Sequence, residues 1–458
     1  MIKQNDFNEV WFIDLSNHTP TLNKLSRAFK NSNIVFLQWQ KTVTAQLGII
    51  LIAGNESYDQ LISILNIQLK HRNNRIIVFN TSAIKISYDA VFKILNYGAE
   101  YFFETNDVDE TFECIVEKFQ RWRNVEIMLN APVVSKHIIG ESPNMKKLLR
   151  GIIEVGAYSD VSVLIQGERG TGKELIARLI HELDRKRSNA NLVLIDCTTI
   201  RPELSGSEFF GHEKGSYTGA DNTREGAFAL ANNGTLFLDE VGETPLPMQA
   251  ELLRIIQEGV YKKVGSNIWK QTNFRLVCAT NRDLLSECEK GRFRKDLNDR
   301  ISIWKCYMPT LNERKEDIPL LAEFFFKKRF SEKVPIIDDG VMHYLKERDY
   351  PGNIRELQNL VNRISLKYVG KGPVTLGDIP ETDRKSNVHS EECWYESAAI
   401  RDKITEALNN GYDAKSIMDT IKSLVTKIAL ASTDNNKEVC QLLGKSERWI
   451  QLQKAKEK

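Results

Sequence analysis

The chain has no cysteine arrangement that could hold a fold together. Its seven cysteines are odd in number and scattered, with no CxxC pair and no His/Cys cluster, which speaks against a disulfide framework and a zinc site. A charge surplus is missing too: Lys and Arg total 63 against 61 Asp and Glu, a net charge of +2. Affinity for nucleic acid must then come from a local patch. No run approaches eighteen uninterrupted apolar residues, and the opening MIKQNDFNEV has no apolar signal core. Neither a membrane span nor a secretory leader is expected, and internal repeats and low-complexity tracts are absent. These absences leave a reducing, cytoplasmic chain of ordinary globular composition, 41% hydrophobic and 27% charged. Its 458 residues suffice for about three domains.

Residues 1–125 alternate apolar runs with helical patterns. VWFIDL, NIVFLQW, LGIILIAG and RIIVFN read as buried parallel strands, and PTLNKLSRAFK, SYDQLISILNIQLK, SYDAVFKILNYG and VDETFECIVEKFQRWRN have helical spacing. That alternation predicts a doubly wound α/β domain of flavodoxin-like size. A polar linker is expected over 126–137, a central domain over 138–382, and a charged linker over 383–394. Residues 395–458 read as helical, with Ile417, Ile421, Leu424, Val425 and Ile428 on one face.

The central domain carries the chemistry. VSVLIQGERGTGKELIARLIH reads as a strand, a glycine-rich turn and a helix. The turn spans Gly167, Glu168, Arg169, Gly170, Thr171, Gly172 and Lys173. Its glycines let backbone N–H groups face phosphate oxygens, and Lys173 follows at the positive end of a helix. Glu174 stands where a Ser or Thr would usually place a hydroxyl on Mg²⁺. A second buried strand, GTLFLDE, ends in Asp239 and Glu240. Asp239 suits the shell of a Mg²⁺ ion and Glu240 suits the base that orients an attacking water. A third strand, FRLVCAT, ends in Asn281, a plausible sensor of a terminal phosphate.

With these in place, residues 138–382 resemble the AAA+ domain of the bacterial enhancer-binding proteins that activate sigma-54 RNA polymerase. The matching strings are IIGESP, GERGTGKELIARLIH, SEFFGHEKGSYTGA, GTLFLDEVGE, MQAELLRIIQEG, CATNRDL, GRFRKDLNDRI, LNERKEDIP and YPGNIRELQN, in the family's order. The resemblance implies a P-loop α/β domain with a helical lid from about 310, and ATP with Mg²⁺ as cofactors. That family also has Glu after the P-loop lysine. It implies that Arg294 and Arg300 are fingers reaching a neighbouring subunit's ATP, that Arg355 is the lid arginine, and that a homo-oligomer, from dimer to hexameric ring, forms. At residue 196 the family often has an Asn that holds the catalytic glutamate; this chain has Asp196, which accepts but does not donate.

The first domain resembles a response-regulator receiver without its chemistry. Only Asp14 is acidic on the first strand. Ala53-Gly54 falls where the phosphoacceptor belongs, Thr81 or Ser82 follows the fourth strand, and Thr105 replaces the lysine. Phosphorylation by the usual route is not expected. The tail resembles a Fis-type helix-turn-helix, an all-α domain in which Lys445, Ser446, Arg448, Gln451 and Lys454 would serve upstream DNA. From 437 onward there are six Lys or Arg against three acids, a modest excess for phosphates. A helical dimerisation tail without DNA affinity is the alternative.

Gly215, Ser216, Tyr217, Thr218, Gly219 and Ala220 match the family's GAFTGA loop, which engages the sigma factor, with Ser for Ala and Tyr for Phe. The expected function is a DNA-tethered ATPase that remodels the closed sigma-54 polymerase complex. Two rivals are another AAA+ remodeller and a DNA-binding regulator acting with a different sigma factor.

Overall fold

The computed structural model describes residues 9–16, 18–40, 47–54, 58–71, 74–82, 84–104, 108–201, 204–217, 220–330, 334–370, 372–384 and 398–432. The chain divides into two units, Met1–Pro380 and Glu381–Lys458.

The first sheet is built from β1 (Glu9–Asp14), β2 (Val35–Gln38), β3 (Leu47–Ile52), β4 (Arg75–Asn80) and β5 (Tyr101–Glu104), parallel throughout in the order β2-β1-β3-β4-β5. Every residue of β3 and β4 is buried, as expected of strands covered on both faces. One face packs against α1 (Thr19–Asn31) and α4 (Val108–Leu129) through Leu25, Phe29, Phe112, Ile115 and Phe119. The other packs against α2 (Tyr58–His71) and α3 (Tyr88–Asn96) through Leu61, Leu65 and Ile94. The doubly wound expectation holds.

The expected linker over 126–137 is helical instead. α4 continues to Leu129, and after a short break α5 spans Pro132–His137. The polar residues of this stretch masked an apolar stripe. Val125 and Val134 are buried in the central core, with Met128 and Leu129 packed against it. One 22-residue helix, about 33 Å long, thus serves two cores. Arg75 reinforces the junction: its buried guanidinium bonds Glu100 and Glu154, each at 2.8 Å, and lies 4.3 Å from the Trp122 ring centroid. The three contacts join β4 to the residue before β5, to α4 and to α6 (Pro143–Tyr158).

The central sheet comprises β6 (Val163–Gln166), β7 (Leu192–Asp196), β10 (Thr235–Asp239), β13 (Arg275–Thr280) and β14 (Trp304–Tyr307), all parallel, in the order β14-β6-β13-β10-β7. α6 and α7 (Lys173–Leu183) cover one face, and α10 (Leu246–Glu258) and α12 (Lys295–Ile301) the other. Between β7 and β10 the chain forms α8 (Ser205–Phe210), the paired strands β8 (Gly211–His212) and β9 (Arg224–Glu225), and α9 (Ala227–Leu230). A hairpin of β11 (Val260–Tyr261) and β12 (Lys270–Gln271) precedes β13, and α11 (Leu284–Glu289) follows it. A lid with its own core follows, formed by α13 (Ile318–Arg329), α14 (Asp339–Glu347) and α15 (Asn353–Lys367).

One buried ion pair ties the bottom of this domain together. Arg275, fully buried, donates to Asp184 Oδ2 at 3.0 Å and to the carbonyls of Gly156 and Val155 near the end of α6. Removing one partner strands the other charge in the interior. Asp184→Ala is expected to cost about 3–5 kcal/mol, read as a lower denaturant midpoint with an unchanged slope.

In the second unit the described helices are α16 (Ala398–Asn409) and α17 (Ala414–Ser432). The apolar face expected at 417–428 lies on α17, where Leu424, Val425 and Ile428 are exposed. Lys445, Ser446, Arg448, Gln451 and Lys454 lie outside the described residues.

Candidate functional site

The site forms where β6, β10 and β13 end. β6 gives way at Gln166 to the glycine turn, and α7 begins at Lys173. Gly170 and Gly172 have φ of 77° and 101°, the left-handed region that glycine tolerates best. A Cβ on Gly170 would stand 2.3 Å from the Gly352 carbonyl oxygen, so the turn is seated directly on the lid. Lys173 is only 7% exposed. Its Nζ donates to the carbonyls of Gly167 (2.9 Å) and Glu168 (3.3 Å) and pairs with Glu240 Oε1 at 3.4 Å. An ammonium held this way bridges the turn and the acidic strand end. Thr171 is buried and donates through its hydroxyl to the Glu168 carbonyl.

Two carboxylates face that ammonium. Burial, together with the neighbouring charge of Glu240, raises the Asp239 pKa above its ordinary value. Desolvation that disfavours an anion favours a cation arriving beside it. Glu240 has φ 49°, a left-handed conformation that costs a non-glycine residue about 1–3 kcal/mol. The strain directs its carboxylate between Lys173 Nζ and the backbone N–H of Asn281, which donates to Oε2 at 3.0 Å. Asn281 therefore meets Glu240 through its backbone, leaving its exposed side-chain amide toward solvent.

Asp196 does not hold Glu240. It pairs in register with Asp239 across the sheet, but its Oδ1 accepts from Thr198 N (2.9 Å) and Thr198 Oγ1 (2.7 Å). A carboxylate cannot donate to a second carboxylate, and its own turn supplies better partners. Glu174 likewise turns outward, pairing with Arg178 one helical turn on at 2.7 Å, so it contributes no ligand to the turn.

The arginines expected to act elsewhere are displayed on the surface. Gln249, fully buried, accepts from Arg294 N at 2.8 Å and donates to the Arg292 carbonyl, fixing the backbone that presents Arg294. The Arg294 guanidinium rests on Asp296 at 2.8 Å. Arg300 is exposed and has no ion-pair partner among the described residues. Neither touches the glycine turn of its own chain. Arg169 and Arg355 are exposed, with the Arg355 Cβ against Gly170.

Sequence reasoning missed the residues that join lid to turn. Asn353 is fully buried at φ 54°. Its Nδ2 donates to Glu168 Oε2 (3.0 Å) and the Arg169 carbonyl (3.1 Å), and its Oδ1 accepts from Leu311 N. Arg314, also buried, donates to the Thr171 carbonyl at 3.1 Å. Asp317 accepts from Glu141 N, Ser142 N and Ser142 Oγ. The one available signal was a buried-type position for Asn inside PGNIREL. Beside the turn lies a cavity of about 300 Å³ whose lining includes Ile138, Ile139, Thr171, Leu175 and Ile354. It is largely apolar and of a size for a planar base.

Away from this cleft, the 213–223 loop leaves β8. Gly215 N donates to the Ala220 carbonyl at 2.8 Å, closing its neck. Tyr217 is exposed, at 38%, and its ring leans edge-on against His212 at 5.1 Å between centroids. Thr218 and Gly219 lie outside the described residues.

Comparison with known proteins agrees with this geometry. The sigma-54 interaction domain matches residues 138–306 and the AAA+ ATPase lid domain matches 312–393. The transcriptional regulatory protein ZraR of Salmonella typhimurium is 42% identical over 295 residues, 62% of this chain and 65% of that protein. The DNA-binding transcriptional regulator NtrC of Azospirillum brasilense is 37% identical over 321 residues, 67% of this chain and 66% of that protein. The chain thus spans about two thirds of these curated relatives. The crystal structure of NtrX from Brucella abortus shares the fold, with a TM-score of 0.50 at 21% identity, over 97% of this chain and 98% of that one. No described helix is long and apolar enough to cross a membrane.

Proposed function

Since this chain belongs to the NtrC type of sigma-54-dependent regulators, we propose that it hydrolyses ATP in an oligomeric ring to open promoter complexes of sigma-54 RNA polymerase. The single observation that carries the ATPase reading is the position of Glu240. It is held in a strained conformation between the P-loop lysine and the Asn281 backbone N–H. The triphosphate lies along the turn amides, where Lys173 exchanges its carbonyl partners for phosphate oxygens. The base occupies the apolar cavity beside Ile138 and Ile354. Asp239 would hold Mg²⁺, which would supply charge neutralisation at the phosphates. Once Lys173 turns to phosphate, Glu240 is free to accept a proton from a water lined up for attack. Arg294 and Arg300 act on the neighbouring subunit's nucleotide, and the loop at 215–220 carries the motion to the sigma factor. The tail, through Arg448, Gln451 and Lys454, tethers the assembly to upstream DNA.

The N-terminal domain acts without phosphate. At the point where an acceptor would sit, Asn80 Oδ1 accepts from Gly54 N (3.0 Å) and Ser82 N (3.1 Å). Its Nδ2 donates to the Ile84 carbonyl. Side-chain amide bonds thus fix the loops that phosphate would otherwise move.

Glu240→Gln tests the central assignment. The amide keeps the shape and cannot take the proton. ATP binding by equilibrium titration should persist while steady-state hydrolysis falls about a hundredfold. Turnover at the unmodified rate would remove Glu240 from the mechanism.

A further inference from the structure

α8 ends at Phe210 and β8 begins at the next residue, so the helix lies against the stem of the 213–223 loop. That junction brings two buried polar side chains together: Ser207 Oγ and His212 Nδ1 are 2.7 Å apart. With its proton given to Nδ1, Ser207 Oγ still has lone pairs to accept with. The Tyr217 hydroxyl is 3.4 Å from it, and the Tyr217 ring packs edge-on against the same imidazole. A phenylalanine would keep the ring contact and have nothing to offer Ser207. The added hydroxyl gives this loop a side-chain hydrogen-bond partner on α8.

We propose that Ser207 and His212 are positioning residues that dock the loop through the Tyr217 hydroxyl. The proposal rests on the reading of this loop as the polymerase contact. At 3.4 Å the contact is longer than a firm O–H···O bond, so the dock is a weak one. Short backbone bonds complete the docked form: Gly215 N to the Ala220 carbonyl, Ser216 N to the Glu213 carbonyl and Ala220 N to the Tyr217 carbonyl. The β11–β12 hairpin presses from the other side. A Cβ on Gly265 would stand 2.6 Å from Ser216 Cβ, and Glu213 N donates to the Val264 carbonyl. Ser216 and Tyr217 therefore meet that hairpin and α8 respectively.

Hydrogen exchange at the Gly215, Ser216 and Ala220 amides of the full chain, without nucleotide, tests the dock. Tyr217→Phe should speed exchange roughly two- to tenfold, the equilibrium weight of one hydrogen bond. Ser207→Ala should do the same, and the double substitution should exceed neither, because both remove one interaction. Unchanged exchange in Tyr217→Phe overturns the proposal. So does an acceleration by Ser207→Ala that persists undiminished in the Tyr217→Phe background, which would mark Ser207 as mere support for α8. The polymerase reading fails separately. If exchange behaves as expected yet Tyr217→Ala still opens promoters, the dock stands and the loop is not the contact.

Discussion

Arg294→Ala should bind ATP normally and hydrolyse it about a thousandfold more slowly. The side chain caps no phosphate of its own subunit: its backbone is fixed by Gln249, and its guanidinium rests on an exposed aspartate, Asp296. That pair is exposed to solvent and screened by it, so Asp296 can be exchanged for a neighbour's phosphoryl oxygens. The charge developing on those oxygens during transfer is then met by a fixed cation, which accounts for the size of the loss. Mixing distinguishes a trans role from a local one. A Lys173→Ala subunit keeps its finger and lacks nucleotide, while an Arg294→Ala subunit has the converse defect. Combined in one assembly, they should recover part of the turnover that neither shows alone. Unimpaired hydrolysis by purified Arg294→Ala, or a mixture as inactive as its parts, would place the residue outside the reaction.

Tyr217→Ala should hydrolyse ATP and yield no open complexes with sigma-54 polymerase on a supercoiled promoter. The expected loss is on the order of a thousandfold, as for an interface anchor worth about 4 kcal/mol. The ring lies on a loop outside the nucleotide cleft, and its described partners are His212 and Ser207. Its removal takes nothing from the P-loop, Asp239 or Glu240. Its sequence neighbours, Gly215, Ser216, Thr218, Gly219 and Ala220, are small and offer no comparable apolar surface. Open complexes at the unmodified level would show that force passes to the polymerase by another route, and the β11–β12 hairpin would be the next element to test.

What could be read from the sequence follows from how local each requirement is. The glycine turn with Lys173, and the acids closing GTLFLDE, are demanded by phosphate and metal chemistry at fixed spacing, so their strings carry the site by themselves. The buried strands β3 and β4 were equally plain, being uninterrupted apolar runs. Partners that depend on distant segments were not readable. Asn353 reaches Glu168 across 185 positions, and Arg314 reaches Thr171 across 143. Nothing near either residue announces the partner. Asp196 ends β7, but that its carboxylate turns to Thr198, two residues on, is decided by the turn it caps. Tyr217 was recognised as the distinctive residue of its loop. Its half-covered state depended on Ser207 and His212, which read as unremarkable polar residues beside a helix end.

The helix α4 has a consequence for how this protein can be divided. Because Val125, Met128 and Leu129 belong to the ATPase core while Phe112, Phe119 and Trp122 belong to the N-terminal one, no cut between the domains is clean. A fragment beginning at 138, where the sequence match starts, would lose α5 and the end of α4 and open a dry apolar trough along α6 and α7. One beginning near 108 would keep its own core whole and instead carry a bare helix face studded with aromatic rings. Either fragment should aggregate sooner than the intact chain, which makes the N-terminal domain a structural part of the central one.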